Sequence, residues 1–134
     1  MPTKVADIFN HFELTIHGQV KWNTEINSNK CGVYVIALTN DINKLITLEK
    51  ANFNDNAINN WIELIKTSGK ALLVDGELAT TDLIKERLSQ FWFSDETILY
   101  IGKAGPTIKR TLKVRVEEFY KTKLGCDKKH AGGH

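Results

Sequence analysis

The sequence predicts an α/β fold in which a small, mostly antiparallel β-sheet lies between helices. Two apolar runs rich in β-branched residues predict strands at 32–39 and 97–103. Apolar residues spaced three and four apart predict helices between and after these strands. With 134 residues, 42% of them hydrophobic, the chain is expected to form one domain with one core.

The first predicted elements are strands. Alternation of apolar with polar residues predicts an early strand or ribbon, and its apolar members are Leu14, Ile16, Val20 and Trp22. The run from Gly32 to Leu38 then predicts a buried strand that ends before Asn40 and Asp41.

Two helices and a short strand are predicted between the two main strands. The helix at 55–67 has the apolar stripe Ile58, Trp61, Ile62 and Ile65. Asn54 or Asp55 can cap its start, and Gly69 suits the left-handed position after its end. Leu72–Val74 predicts a short strand closed by a turn at Asp75–Gly76.

Thr80 or Thr81 can cap the next helix, whose predicted stripe is Ile84, Leu88, Phe91 and Trp92.

The last strand is followed by a third helix. We expect this helix to begin near Thr107 or Thr111 and to end at Lys123. Its apolar face consists of Leu112, Val116, Phe119 and Tyr120. At about 100° per residue, Arg115 falls at the edge of that face, from which it can reach toward the rim of the sheet.

Charge is unevenly distributed along the chain. Residues 97–134 carry nine Lys or Arg against three Asp or Glu, a net charge of +6, whereas residues 1–96 carry −4. This asymmetry is typical of a surface that binds a polyanion, although a solvated basic helix would give the same pattern. Cys31 and Cys126 do not suggest a disulfide framework, and no apolar run is long enough to span a membrane. We therefore expect a cytoplasmic protein without a membrane partner.

A set of residues suited to phosphodiester chemistry lies on the two main strands and the last helix. Gly32–Tyr34 and Tyr100–Gly102 occupy the strands, Lys103 follows the second strand, and Arg115 lies on the helix. Phosphodiester hydrolysis needs a base for water, positive charge near the transition state and usually a metal ion. A tyrosine is a poor base at neutral pH unless nearby positive charge lowers its pKa, and the fork of an arginine fits two phosphate oxygens.

Gly32-Val33-Tyr34 and Tyr100-Ile101-Gly102 resemble the two namesake motifs of the GIY-YIG nuclease superfamily. The closest local resemblance is to the N-terminal nuclease of the excision-repair endonuclease subunit, over 97–123. The resemblance implies a GIY-YIG-like domain with a motif core at 31–39 and 97–123, a helical insertion at 40–96 and a flexible tail at 124–134.

The resemblance also implies roles for individual residues. Tyr34 or Tyr100 would activate water, Lys103 would assist, and Arg115 would stabilise the developing negative charge. Gly32 and Gly102 would leave room for phosphate, and further DNA contacts are expected from Lys109, Arg110, Lys113 and His130. The implied cofactor is a divalent metal ion, Mg²⁺ or alternatively Mn²⁺, and the implied partner is DNA.

Three features depart from the family pattern. The segment between the motifs is long. Phe119 also stands where the family often has His or Tyr, so either Tyr120 takes the role of that residue or the role is lost. The family's metal-binding glutamate has no counterpart before His134, and its position in this chain is unknown. We expect the chain to be a truncated piece whose continuation supplies this residue.

The leading hypothesis from the sequence is a metal-dependent endonuclease that hydrolyses DNA phosphodiester bonds. One alternative is a DNA-binding module of the same fold without catalytic activity. Another is a protein-interaction domain that works through the 40–96 insertion, and an exposed apolar patch at Trp61 or Trp92 would favour it. A zinc site at Cys126, His130 and His134 is disfavoured because the glycines between the histidines oppose a helix there.

Overall fold

A computed structural model of the chain describes residues 2–122, and these fold into four helices and two small antiparallel sheets. In chain order the elements are α1 (Val5–His11), β1 (Gly32–Ala37), α2 (Asp55–Thr67), β2 (Leu73–Val74), β3 (Glu77–Leu78), α3 (Thr81–Ser89), β4 (Ile98–Ala104) and α4 (Leu112–Lys121). The predicted α/β class is confirmed. None of the helices in these residues is both long and apolar enough to cross a membrane.

The chain divides into two compact units. Within the described residues, the first unit runs to Thr47 and resumes at Asp95–Thr122, whereas the second spans Leu48–Ser94. The second unit therefore lies inside the predicted insertion at 40–96.

Strands β1 and β4 form the sheet of the first unit. They pair antiparallel, with Tyr34 opposite Gly102 and Ile36 opposite Tyr100, and the register shifts between Ile36 and Ala37. The two main strands predicted from the sequence are confirmed, with ends displaced by one or two residues. In this antiparallel pair, the backbone hydrogen bonds run perpendicular to the two strands.

Thr97 anchors the base of this sheet. It is fully buried at 0% exposure. Its hydroxyl accepts a hydrogen bond from the Ile46 amide at 2.9 Å, and its carbonyl accepts one from the Leu38 amide at 2.8 Å. Both polar groups are thus satisfied without water, as a buried threonine requires.

Helix α4 begins where the sequence predicted it. The hydroxyl of its N-cap, Thr111, accepts a hydrogen bond from the Val114 amide, which satisfies one of the unpaired donors of the first turn. The Leu112 amide donates to the Lys30 carbonyl at 2.9 Å, so the helix start is tied to the residues preceding β1. Val116 is the buried residue of its apolar face.

The predicted early strand at 14–22 is wrong, because these residues form neither helix nor strand. Leu14, Ile16 and Val20 are 38–45% exposed, and Trp22 is 56% exposed. Alternation alone does not make a strand, since a strand needs a partner for its backbone groups. Trp22 instead packs its ring against Phe119, with centroids 5.8 Å apart.

The second unit has its own small core. Helix α2 is confirmed with Asn54 as its cap, whose side chain accepts from the Ala57 amide, and with Gly69 at φ +76° after its end. The turn at Asp75–Gly76 is confirmed by positive φ values of 50° and 87°, and it joins β2 to β3. The buried cluster consists of Ile58, Ile62, Ala79 and Ile84.

The predicted stripe of α3 is only partly right. Thr80 caps the helix and Ile84 is buried, but Leu88 is 44% and Phe91 is 65% exposed. The helix ends at Ser89, so Phe91 and Trp92 lie beyond the segment over which helical periodicity applies. The indole of Trp92 donates a hydrogen bond to the Leu48 carbonyl at 2.7 Å.

Candidate functional site

The two motif tyrosines lie side by side on one face of the β1–β4 sheet. Directly opposed residues share a face, as do residues two apart on one strand, so the register places Tyr34 and Tyr100 together. Their ring centroids are 5.9 Å apart at an interplanar angle of 44°. Tyr34 is only 7% exposed, and Tyr100 is half-buried.

Gly102 makes room for Tyr34. A Cβ atom at this position would collide with Cζ, Oη and Cε1 of the Tyr34 ring, which lies across the strand. The Tyr34 ring therefore fills the space at Gly102 that the sequence analysis expected to be open to phosphate. At Gly32 a Cβ would make ordinary contact with Cδ1 of Leu112, at 3.5 Å. Direct phosphate contact at either glycine stays a prediction.

Helix α4 brings Arg115 to the same region. Its side chain is 19% exposed, and Nη1 donates to Oε2 of Glu118 at 2.6 Å. The charges of both residues act on the Tyr34 hydroxyl, because Arg115 lowers the pKa of that group and Glu118 raises it. Tyr34 and Tyr100 thus lie together, and Arg115 lies one turn before Phe119, the α4 residue that packs on Tyr100, so that its charge acts on Tyr34.

The net effect of these surroundings raises the pKa of Tyr34 to about 12. Burial is the largest cause, followed by the neighbouring Tyr100 and the hydrogen bond that it shares with Tyr34, and Arg115 does not compensate. At neutral pH the Tyr34 hydroxyl is therefore protonated and can donate a hydrogen bond. This direction is opposite to the one that a general base requires.

Lys103 lies on the other face of the sheet. It is exposed and pairs with Val33, one residue out of phase with Tyr34 and Gly102. Leu99 and Ile101, on the same face of β4, are 49% and 50% exposed. The strand geometry therefore does not join Lys103 to the tyrosine pair.

Glu118 is a member of the site that the sequence analysis missed. Its Oε1 accepts from Nη1 of Arg110 at 3.0 Å, while Oε2 accepts from Arg115. One carboxylate thus bridges two arginines. The spacing of three residues between Arg115 and Glu118 is typical of a helical ion pair and could have revealed half of this arrangement.

The remaining predicted DNA contacts fall in different places. Lys113 forms an ion pair with Glu25 at 3.0 Å, and the hydrogen bond to Glu25 raises the pKa of this lysine. Lys109 is exposed in the loop before α4. The predicted contact of His130, and the disfavoured zinc site in the tail, lie outside the described residues.

Phe119, rather than Tyr120, stands next to the tyrosine pair. The Phe119 ring lies 5.1 Å from that of Tyr100. The Tyr120 hydroxyl instead donates to the Thr24 carbonyl at 3.1 Å, and its ring packs on Trp22 at 4.9 Å. Tyr120 is therefore directed toward the segment before β1, which does not suit it to replace the missing family residue.

Two cavities border the sheet. One of about 110 Å³ is lined by Tyr34 together with apolar residues of α4, including Val116 and Phe119. The larger, of about 400 Å³, is lined by Val33, Val35 and residues of α1 and the 14–28 segment. Neither of these two cavities is lined by Arg110, Arg115 or Glu118.

The described residues show no ready-made ligand set for the divalent metal ion that the resemblance implies. Among residues 2–122 no group of three or more His, Cys, Asp or Glu is placed to hold a metal. On α4, Glu118 is already bound by two guanidiniums, and Glu117 lies 3.9 Å from the ammonium of Lys121. Mg²⁺ prefers several oxygen ligands, and neither carboxylate lies in such a group.

Comparisons with protein-family models, with curated proteins and with solved structures gave no match to this chain. The resemblance to the GIY-YIG superfamily therefore stays a prediction from the sequence motifs.

Proposed function

We propose that this chain is a GIY-YIG-type nuclease domain that hydrolyses phosphodiester bonds in DNA. The observation that carries the proposal is the pairing of Tyr34 and Tyr100 on one face of the β1–β4 sheet, with the charge of Arg115 on α4 acting on Tyr34. In this proposal β1, β4 and α4 are the core of a GIY-YIG-like fold with a small central sheet flanked by helices. Residues 40–96 are its helical insertion.

Each group has a distinct chemical task in this site. Arg115 stabilises negative charge on two phosphate oxygens as the transition state forms. Tyr34, protonated at neutral pH with a pKa of about 12, donates its hydrogen bond to the Tyr100 hydroxyl and thereby orients it. Tyr100, the more exposed of the pair, orients a water whose oxygen attacks phosphorus as the bond to the leaving oxygen breaks. The proton of this water passes to solvent, and solvent protonates the leaving oxygen. A bound divalent ion would supply further charge stabilisation, but the described residues provide no ligand set for it, and no step here depends on it.

A DNA-binding module without catalytic activity is the second candidate. It is favoured by the engagement of Glu118 with Arg110 and Arg115, which leaves that carboxylate without a role as a metal ligand or base. Such a module would bind DNA through the same arginines. Its binding would weaken steeply with salt, because each neutralised phosphate releases counterions.

A protein-interaction domain is the third candidate. Trp61 and Trp92, whose exposure would favour this candidate, are both half-buried. The second unit nevertheless exposes other large apolar residues at 55–71%, and these are Leu73, Leu78, Phe91 and Phe93. Exposed apolar surface of this kind is typical of interaction sites.

Cleavage of DNA by the wild type and by Arg115→Ala tests the proposal. The substrates are supercoiled plasmid and end-labelled duplexes, with Mg²⁺, Mn²⁺ or a chelator. Because Arg115 would stabilise the transition state, we expect Arg115→Ala to cut at least about a hundredfold more slowly. Arg87→Ala is the matched control, since Arg87 also pairs with a carboxylate, Asp75 at 3.3 Å, but lies in the second unit.

Three results separate the candidates. Loss of cleavage in Arg115→Ala with an active Arg87→Ala supports the nuclease. Salt-sensitive DNA binding without cleavage under any metal condition overturns the nuclease in favour of the binding module. No affinity for DNA overturns both and leaves the interaction domain.

A further inference from the structure

The cluster of Arg110, Glu118 and Arg115, here called the Arg–Glu–Arg clamp, has the geometry of an occupied anion site. Both oxygens of one carboxylate accept from different guanidiniums, at 3.0 Å from Arg110 and 2.6 Å from Arg115. Arg115 and Glu118 are three residues apart on α4, so their pairing is a common helical contact. Arg110 lies before the helix, and its approach to the same carboxylate is not imposed by helical spacing.

The clamp is open to solvent and borders the tyrosine pair. The side chains of Arg110 and Glu118 are 46% and 38% exposed, and that of Arg115 is 19% exposed. The charge of Glu118 reaches the Tyr34 hydroxyl. An anion that approached Tyr34 from solvent would therefore meet the two guanidiniums at the place where the carboxylate now lies.

A carboxylate and a phosphate present similar oxygen pairs to a guanidinium fork. Two arginines that converge on one carboxylate can therefore converge on one phosphate once the carboxylate moves aside. With Glu118 in place the three side chains carry a net charge of +1, and without it the two arginines carry +2. The resting clamp is thus partly neutralised by its own chain.

We propose that Glu118 occupies the position that a DNA phosphate takes between Arg110 and Arg115, and that it acts as a built-in competitor which the phosphate must displace. The proposal rests on the proposed function, because it assigns the regulation of the same site. It identifies Arg110 as the second arginine of the phosphate site and Glu118 as the residue that limits its affinity.

Substitution of Glu118 by Gln removes the competing charge and keeps the size of the side chain. We expect Glu118→Gln to bind a fluorescent duplex about two- to fivefold more tightly than the wild type at low salt, as the loss of a partly exposed ion pair allows. Glu117→Gln is the matched control. Glu117 loses the same charge from the adjacent position, with a side chain 37% exposed against 38% for Glu118, but it does not contact the two arginines.

Fluorescence anisotropy measures the affinity of each variant for the duplex, and circular dichroism verifies that each is folded. Besides these two variants, the set contains Glu118→Ala, Arg110→Ala, Arg115→Ala and Glu118→Gln/Arg110→Ala. The proposal predicts tighter binding by both Glu118 variants than by Glu117→Gln, and loss of this gain when Arg110 is also removed. Equal affinities of Glu118→Gln and Glu117→Gln, with binding still dependent on Arg115, would overturn the competitor role and leave the proposed function standing. Absence of Arg115-dependent binding in every variant would overturn both.

Discussion

At the scale of the residue, Gly102 and Tyr34 depend on each other. The Tyr34 ring lies across β4 only because Gly102 has no side chain. This explains a glycine inside a strand, where it otherwise weakens the sheet. The glycine of the second motif thus positions the tyrosine of the first, and through it the hydroxyl beside Arg115.

The replacement Gly102→Ala tests this dependence. The added methyl group forces the buried Tyr34 ring to move, so we expect a loss of about 1–3 kcal/mol in the free energy of unfolding. The matched control is Gly18→Ala, since a Cβ at Gly18 would meet nothing within 4 Å. Urea unfolding provides the measurement. Equal stabilities of the two variants would show that the ring does not need the space above Gly102.

The pKa of Tyr34 leads to a prediction about alkaline pH. Because folding raises the pKa from 10.0 to about 12, the folded state holds this proton more tightly than the unfolded state. The resulting stabilisation is complete below the unfolded pKa and is lost as pH rises through the folded value. Between about pH 9 and pH 11, unfolding free energy should fall by about 1.4 kcal/mol more in the wild type than in Tyr34→Phe.

Tyrosinate absorbance provides a direct check of the same group. The chain has three tyrosines, and a component that ionises near pH 12 should disappear from the titration of Tyr34→Phe. If the component lost from that variant ionises near the ordinary tyrosine value, the hydroxyl is not buried as described.

At the scale of the element, α2 shows how a helix is specified by its own sequence. Asn54 caps its start, Gly69 follows its end, and Ile58 and Ile62 fall on the face that is buried. Leu64, two residues beyond Ile62, is 47% exposed. The helix is therefore held by one face packed against the small core of the second unit.

Alanine at Ile62 and at Leu64 should have unequal effects. Ile62→Ala leaves a cavity in the core and should cost about 2–4 kcal/mol. Leu64→Ala removes a similar volume from the surface and should cost less than about 0.5 kcal/mol. Thermal or urea unfolding followed by circular dichroism measures both. A loss at Leu64 as large as that at Ile62 would place the core on the wrong face of α2.

Elements with local signals were predictable from the sequence, and those that depend on distant partners were not. The caps, periodic stripes and turn that define α2, β2 and the start of α4 all lie within a few residues of one another. The segment at 14–22 has the alternation of a strand but pairs with none, which no local pattern reveals. The buried hydrogen bond of Thr97 was not predicted, because its partner, Ile46, is 51 residues away in sequence.

The candidate site was predictable to the same extent. Its tyrosines and Arg115 follow from the motifs, and the register of β1 and β4 brings them together. Lys103 was grouped with them by adjacency in sequence, but strand alternation turns it to the other face. The role of Glu118 between two arginines was not predicted, because its contact with Arg110 depends on the path of the loop before α4.

At the scale of the whole molecule, charge and chemistry are concentrated in the same stretch of chain. Residues 97–134 carry a net charge of +6 and include Tyr100 and Arg115, whereas Leu48–Ser94 form a unit with a separate apolar core. In the proposed function such a basic stretch attracts DNA over distances comparable to the Debye length. It would thereby bring a phosphate to Arg115 and the two tyrosines.

In the proposed site Tyr100 and Arg115 act on one reacting phosphodiester, Tyr100 through the attacking water and Arg115 on the phosphate oxygens, and a double-mutant cycle of cleavage rates tests this most directly. Residues that act as a unit have non-additive effects on catalysis. We therefore predict that Tyr100→Phe/Arg115→Ala cleaves no more slowly than the slower single variant. Rate losses that multiply in the double variant, or single variants that cleave as fast as the wild type, would contradict the claim.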